Sequence, residues 1–160
     1  MGIFSFTKNV GEIIFDRDEN KADLSANELK EQPSAQEIAN LLLKRIQQLG
    51  LGLEELKISY DGDSDQATIE GIAQTQADRE KAILAVGNVK HVRSVEDCIT
   101  VEAEQPQSSM YVVASGDTLP DIAKKEYGDA NQHLKIFEAN QPMLSDPDKI
   151  YPGQVLRIPA

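Results

Sequence analysis

The chain has 160 residues, with 27 acidic and 16 basic side chains and a formal net charge of −11 at pH 7. This charge argues against nucleic acid and anionic membrane as partners, because binding to either depends on Lys and Arg. A single cysteine excludes an internal disulfide framework, and the length suits one medium domain or two small ones.

Residues 1–33 form an apolar start followed by a polar segment. Phe6, Val10, Ile13 and Ile14 recur at helical spacing, which predicts an amphipathic N-terminal helix. The start lacks the uninterrupted apolar run of a secretory signal, and no stretch approaches the ~20 apolar residues of a membrane span. We therefore expect a cytoplasmic protein.

Residues 34–103 predict a first compact domain with the order αββαβ. Ser34 and Glu37 form a capping box, and apolar residues then keep helical spacing as far as Gly50. Two alternating segments around an Asp-rich turn predict a hairpin, and a second helix and a third strand follow. We expect two helices on one face of a three-stranded sheet.

Residues 104–110 lack apolar periodicity and predict a linker. Residues 111–160 predict a second domain of order βααβ, with Thr118 as the N-cap of its first helix and Gly128 at the end of that helix. The predicted fold class is therefore α+β: two small domains, αββαβ and then βααβ, preceded by an N-terminal helical segment.

Motifs for catalysis and for a divalent metal are weak. Asp61, Asp63 and Asp65 imitate the start of a calcium loop, but the positions that require Gly and Glu hold Gln66 and Ile72. We interpret these carboxylates as a solvated hairpin turn. The two histidines lie in different domains and no nucleophile or phosphate-loop motif is present, so we expect no enzyme activity.

The end of the second helix is a candidate cation site. Gly87 is expected to cap this helix with a positive φ angle. The last carbonyl groups of a helix lack intrahelical partners and carry partial negative charge. Such a terminus can hold a cation if another backbone segment supplies further oxygens, although most helices end in this way without binding an ion.

The second domain resembles a LysM domain through Ser115-Gly116-Asp117-Thr118-Leu119, Tyr127-Gly128 and the segment from Ile150 to Pro159. The first domain resembles a BON domain through its hairpin and the series Val89, Val92 and Val95. With the apolar start, the combination resembles the small cytoplasmic potassium-binding proteins of bacteria, the Kbp family.

The resemblance implies a monomeric ion sensor with a role in osmotic stress, in which the LysM domain packs on the BON domain when K⁺ is bound. It also implies that K⁺ is held by backbone carbonyl groups. These fall on Thr7, Lys8, Val10, Gly87, Val89 and Val92. A ring of neutral carbonyl dipoles can replace the hydration shell of K⁺, whereas Ca²⁺ prefers carboxylates.

The alternative function is binding of peptidoglycan or a similar N-acetylglucosamine glycan through the LysM domain. By resemblance, the groove would use Gly116, Asp117, Thr118, Leu119, Asn140, Pro142, Met143 and Ile150. Without an export signal this domain would not meet cell-wall glycan, so the LysM fold could instead serve as an intramolecular partner.

Overall fold

The computed structural model describes residues 2–6 and 34–160. The first domain contains β1 (Gly2–Ser5), α1 (Ala35–Leu49), β2 (Leu53–Asp61), β3 (Gln66–Thr75), α2 (Gln76–Gly87) and β4 (Ser94–Ala103). The second contains β5 (Ser109–Val112), α3 (Leu119–Tyr127), a 3-10 turn (Ala130–Gln132), α4 (His133–Ala139) and β6 (Val155–Ile158). The predicted α+β class is confirmed, as are the orders αββαβ for residues 34–103 and βααβ for the second domain, whereas β1 was not predicted.

The first domain is a four-stranded sheet in the order β1-β4-β3-β2. The central strands β3 and β4 are parallel, and the two outer pairs are antiparallel. Helix α1 begins at the predicted capping box of Ser34 and Glu37 and ends at Gly50, whose φ angle is 65°. Its apolar face, which includes Leu42 and Ile46, is buried in the core.

Helix α2 is buried on more than one face. Its second half, from Ala82 to Gly87, is buried without interruption. The helix contacts β3, β4 and α1 within the first domain and β6 of the second domain. An apolar surface that extends around a helix requires such cover from several sides.

The second domain pairs β5 with β6 in antiparallel orientation and packs α3 and α4 on a separate apolar core. The predicted N-cap is confirmed, because the Thr118 hydroxyl accepts from the backbone N–H of Asp121 and Gly128 ends α3 with a φ angle of 75°. Strand β5 begins at Ser109, so the last two residues of the predicted linker belong to a strand.

The prediction of an N-terminal helix is wrong for residues 2–5, which form an edge strand on β4. Ile3 is 67% exposed while Phe4 packs on the core, as the alternation of a strand requires. The open edge of β4 supplies backbone hydrogen-bond partners to this segment, so the sheet has four strands rather than three. The rest of the predicted helix, including Val10, Ile13 and Ile14, lies outside the described residues.

Gly87 does not take the positive φ angle that we expected of a C-cap. It is the last residue of α2, and Asn88 caps the helix with a φ angle of −80°. Glycine is needed here for a different reason: the ring of Phe6 lies where a Cβ atom on residue 87 would be. The glycine therefore allows the end of β1 to pack closely against the end of α2.

We predict that Gly87→Ala lowers the free energy of unfolding by about 1–3 kcal/mol, because the added methyl group overlaps the Phe6 ring. Urea unfolding monitored by circular dichroism measures the change. Gly62→Ala is the matched control, since a Cβ atom at this exposed hairpin position has nothing within 4 Å. Equal midpoints for the two variants would contradict the packing role of Gly87.

Candidate functional site

The carbonyl turn, residues 87–92, connects α2 to β4. The last-turn carbonyl groups of α2 already have donors: Arg45 Nε lies 2.9 Å from the Ala85 oxygen, and the N–H of Val89 lies 3.3 Å from the Val86 oxygen. The N–H of Asn88 lies 2.9 Å from the Leu84 oxygen. The helix end is therefore closed by protein donors up to residue 86, and the turn begins directly after it.

Carbonyl oxygens of the turn itself are only partly paired. The Val89 oxygen accepts from the N–H of Val92 at 3.1 Å, and the His91 oxygen lies 3.3 Å from the Tyr60 hydroxyl. Among residues 2–6 and 34–160, the backbone hydrogen bonds of turns, loops and caps include none to the carbonyl oxygens of Gly87 or Val92. Neutral oxygens of this kind can replace the hydration shell of a monovalent cation.

The structure places three of the six predicted ligand residues, Gly87, Val89 and Val92, within this turn. The other three, Thr7, Lys8 and Val10, lie outside the described residues. Phe6 directly precedes them, and its N–H donates to the Arg93 oxygen at 2.8 Å. The N-terminal strand therefore ends beside the carbonyl turn.

An acidic side chain that sequence reasoning assigned to solvent lies beside this turn. The Tyr60 hydroxyl is 2.9 Å from Asp65 Oδ1 and 3.3 Å from the His91 oxygen, and the Asp65 carbonyl accepts from the N–H of Arg93 at 2.8 Å. Burial and the hydrogen bond to Asp65 raise the pKa of Tyr60 far above its ordinary value, so the hydroxyl keeps its proton. The hairpin turn that contains Asp65 lies next to the carbonyl turn because of the parallel register of β3 and β4, which no local motif encodes.

Clusters of classical metal ligands and membrane-spanning helices are absent from the described part of the chain. Residues 2–6 and 34–160 contain no group of three His, Cys, Asp or Glu side chains that could hold a metal ion. No helix in these ranges is long and apolar enough to cross a bilayer.

The carbonyl turn also contacts the second domain. Asn88 Nδ2 donates to the Val155 oxygen at 2.8 Å, and the N–H of Val155 donates to Asn88 Oδ1 at 2.9 Å. The Tyr151 hydroxyl lies 3.4 Å from the Asn88 oxygen. The side chain of Val155 is buried in the core of the first domain. The two domains therefore meet at the residue that follows Gly87.

A second link between the domains is a buried ion pair. Glu80 on α2 is 3% exposed and accepts a hydrogen bond from Arg157 Nε on β6. The N–H of Ser108 also donates to Glu80, at 2.7 Å. Burial alone would raise the pKa of the Glu80 carboxyl group, but the hydrogen bonds from Arg157 and Ser108 outweigh it and hold the pKa below its ordinary value. The lowered pKa favours the ionised form of the Glu80 carboxyl group in the docked arrangement.

The first half of the predicted glycan groove is a loop organised by its own hydrogen bonds. Asp117 accepts from the Tyr111 hydroxyl at 2.6 Å and from the N–H of Ala114 at 2.9 Å. The hydrogen bond from Tyr111 is the main cause that lowers the pKa of Asp117. Gly116 is exposed with a φ angle of 85°, whereas Leu119 is buried in the domain core. Thr118 is exposed and caps α3.

The second half of the predicted groove is divided between core and surface. Asn140 is buried and bonds to the N–H and the carbonyl of Arg157 on β6. Met143 packs against the core of the first domain, and Ile150 packs against the core of its own domain. Pro142 is exposed. The eight predicted residues therefore do not form one continuous exposed surface.

Protein-family models match both domains. The model of the BON domain matches residues 34–103, and the model of the LysM domain matches residues 111–159. The protein is thus a two-domain BON–LysM protein. Over its full length it is 39% identical to "Potassium binding protein Kbp" of Escherichia coli O6:H1, and the match covers 159 residues and 99% of each chain. The chain belongs to the family of that protein.

Two further relatives match only part of the chain. An uncharacterized protein of Deinococcus radiodurans is 45% identical over 56 residues, which are 35% of this chain and 21% of that protein. The uncharacterized protein YqbP of Bacillus subtilis is 40% identical over an alignment of 58 residues that covers 31% of this chain and 26% of that protein. Such partial matches indicate a shared domain within longer proteins.

We predict that acid separates the two domains partly through Glu80. Because the folded-state pKa lies below the ordinary value of 4.5, the ion pair stabilises docking above that pH and the contribution is lost as pH falls through and below 4.5. Glu80→Gln should weaken docking by roughly 3 kcal/mol near neutral pH and flatten the acid transition. Small-angle scattering between about pH 3 and pH 7 measures the separation of the two domains, because this interval includes the ordinary pKa of a glutamate carboxyl group.

The control is Glu126→Gln, which neutralises an exposed glutamate on α3. This variant should follow the same acid transition as the parent protein. If Glu80→Gln also retained that transition unchanged, carboxylates other than Glu80 would govern docking.

Proposed function

We propose that the protein is a cytoplasmic, monomeric K⁺-binding protein without enzyme activity that senses the ion during osmotic stress. The full-length relationship to a protein named for potassium binding carries the proposal. The carbonyl turn supports it, because Gly87, Val89 and Val92 offer neutral backbone oxygens in one short segment. The remaining ligands are the carbonyl groups of Thr7, Lys8 and Val10 in the N-terminal segment.

The chemistry of the site favours a large monovalent cation. Ca²⁺ and Mg²⁺ take carboxylate ligands and geometries that the described residues do not assemble. K⁺ holds its water weakly enough for carbonyl dipoles to replace it. An acidic environment, with Asp65 beside the turn, raises the local cation concentration without selecting one ion.

The contact between the domains supplies a response. An ion that binds the docked form better than the separated form stabilises docking by mass action. K⁺ binding would therefore make the protein more compact, and its release would free the LysM domain. The proposed signal is this change in the packing of the BON and LysM domains.

A titration with KCl tests the proposal. The protein, first dialysed into a buffer without alkali metal ions, is titrated with KCl or NaCl at equal ionic strength, with binding followed by calorimetry and compactness by small-angle scattering. We expect a saturable response to KCl and a much weaker response to NaCl. Equal responses to both salts would contradict a selective K⁺ site.

We also predict that Asp65→Asn weakens K⁺ binding about threefold, because it removes a negative charge linked to the His91 carbonyl through Tyr60. Asp65 has a φ angle of 53°, which Asn tolerates. Asp63→Asn makes the same change of net charge at an exposed position of the same turn. An equal effect of both variants would show that only the overall charge matters.

Glycan binding by the LysM domain is the second candidate function, and the match of residues 111–159 to the LysM family model favours it. Three of the predicted groove residues are exposed: Gly116, Thr118 and Pro142. Retention on insoluble peptidoglycan that is competed by a soluble N-acetylglucosamine trimer would support this function. Equal retention with and without the trimer would argue against it.

A further inference from the structure

Asn88 has its backbone in the carbonyl turn and its side chain in the LysM domain interface. It lies between Gly87 and Val89, two of the residues proposed to hold K⁺. Its amide group is 2.8 Å from the oxygen and 2.9 Å from the nitrogen of Val155. One side chain therefore joins the proposed ion site to the first residue of β6.

The side-chain amide of Asn88 forms the two hydrogen bonds to Val155 that the backbone of a neighbouring strand would form. One edge of β6 pairs with β5, and residues 155 and 157 direct their N–H and carbonyl groups to asparagine side chains. Asn140, within the LysM domain, makes the same pair of bonds to Arg157. Residues i and i+2 of a strand share one edge, so both amides continue the ladder on that edge of β6. Asn88 is the one of the two that comes from the BON domain.

This geometry fixes the turn and not only the interface. The N–H of Asn88 bonds to the Leu84 oxygen at 2.9 Å, its carbonyl is 3.4 Å from the Tyr151 hydroxyl, and its side chain is held at both ends by Val155. Backbone groups on both sides of residue 88 belong to the proposed ligands. Movement of β6 would therefore shift the direction of the carbonyl groups at 87 and 89.

We propose that Asn88 is the positioning residue that couples the K⁺ site to LysM docking. The inference rests on the proposed function. The docked β6 holds the carbonyl turn in the conformation that binds K⁺, and the bound ion in turn stabilises docking. The two effects are reciprocal because they share one coupling free energy.

Three variants of the full chain test the coupling by calorimetric titration with KCl. Asn88→Asp keeps the acceptor for the Val155 N–H but places an oxygen against the Val155 carbonyl. Val155→Pro removes that N–H at the first residue of a strand, where proline is tolerated. We expect each single variant to weaken K⁺ binding about tenfold, as the loss of one or two buried hydrogen bonds implies.

The double variant distinguishes coupling from local damage. If Asn88 acts through Val155, the K⁺ affinity of the double variant equals that of the single variant with the lower affinity. Losses that multiply would overturn the proposal, because Asn88 would then order the turn by itself. Val155→Pro tests the same bond from the LysM side if Asn88→Asp does not fold, and a Val155→Pro variant with parental K⁺ affinity would also overturn the proposal.

Glu80→Gln loosens the same interface through Arg157 without contacting the carbonyl turn. Because docking and K⁺ binding share one coupling free energy, the K⁺ affinity of this variant should also fall. Parental K⁺ affinity in Glu80→Gln would overturn the coupling, and Glu126→Gln, at an exposed position of α3, is the matched control that should keep the parental affinity. The parental protein separates the two hypotheses: no response to KCl there overturns the proposed function, whereas a normal response with unchanged variants overturns only the coupling.

Discussion

The apolar surface of helix α2 is covered by three different parts of the chain. The sheet and α1 cover it within the BON domain, Phe6 packs on its last residue, and Val155 of the LysM domain enters the same core. Because this helix needs cover on several sides, its C-terminal end becomes the place where the N-terminal strand, the BON core and the LysM domain meet. The carbonyl turn begins at that point.

This arrangement explains why backbone atoms suffice for the proposed site. A turn held between packed elements has few conformations, so its carbonyl dipoles are oriented before an ion arrives. Three hydrogen bonds also hold the turn and the helix end before it: Tyr60 to His91, Arg45 to Ala85 and Asn88 to Val155. The side chains proposed to matter are those that hold the turn, while the proposed ligands contribute only main-chain oxygens.

Local rules predicted most of the fold. The capping box at Ser34 and the N-cap at Thr118 could be predicted because each depends on residues within three positions along the chain. The hairpin of β2 and β3 followed from its alternation and its turn. The N-terminal strand was missed because its partner is β4, far along the chain. A short apolar segment also fits the periodicity of a helix as well as that of a strand. Gly87 was assigned a role in capping because its contact with Phe6 has no local signature.

The sequence by itself determined the α+β class, the order of the elements from residue 34 onward and, through its family resemblance, the proposed K⁺ ligands. Only the tertiary structure decided that Asp65 lies beside the carbonyl turn and that Asn88 and Glu80 reach β6. The physical reason is the distance along the chain between the residues that interact. Caps, turns and periodicity act over a few residues, whereas these contacts join segments that become neighbours only when the sheet register and the domain packing are set.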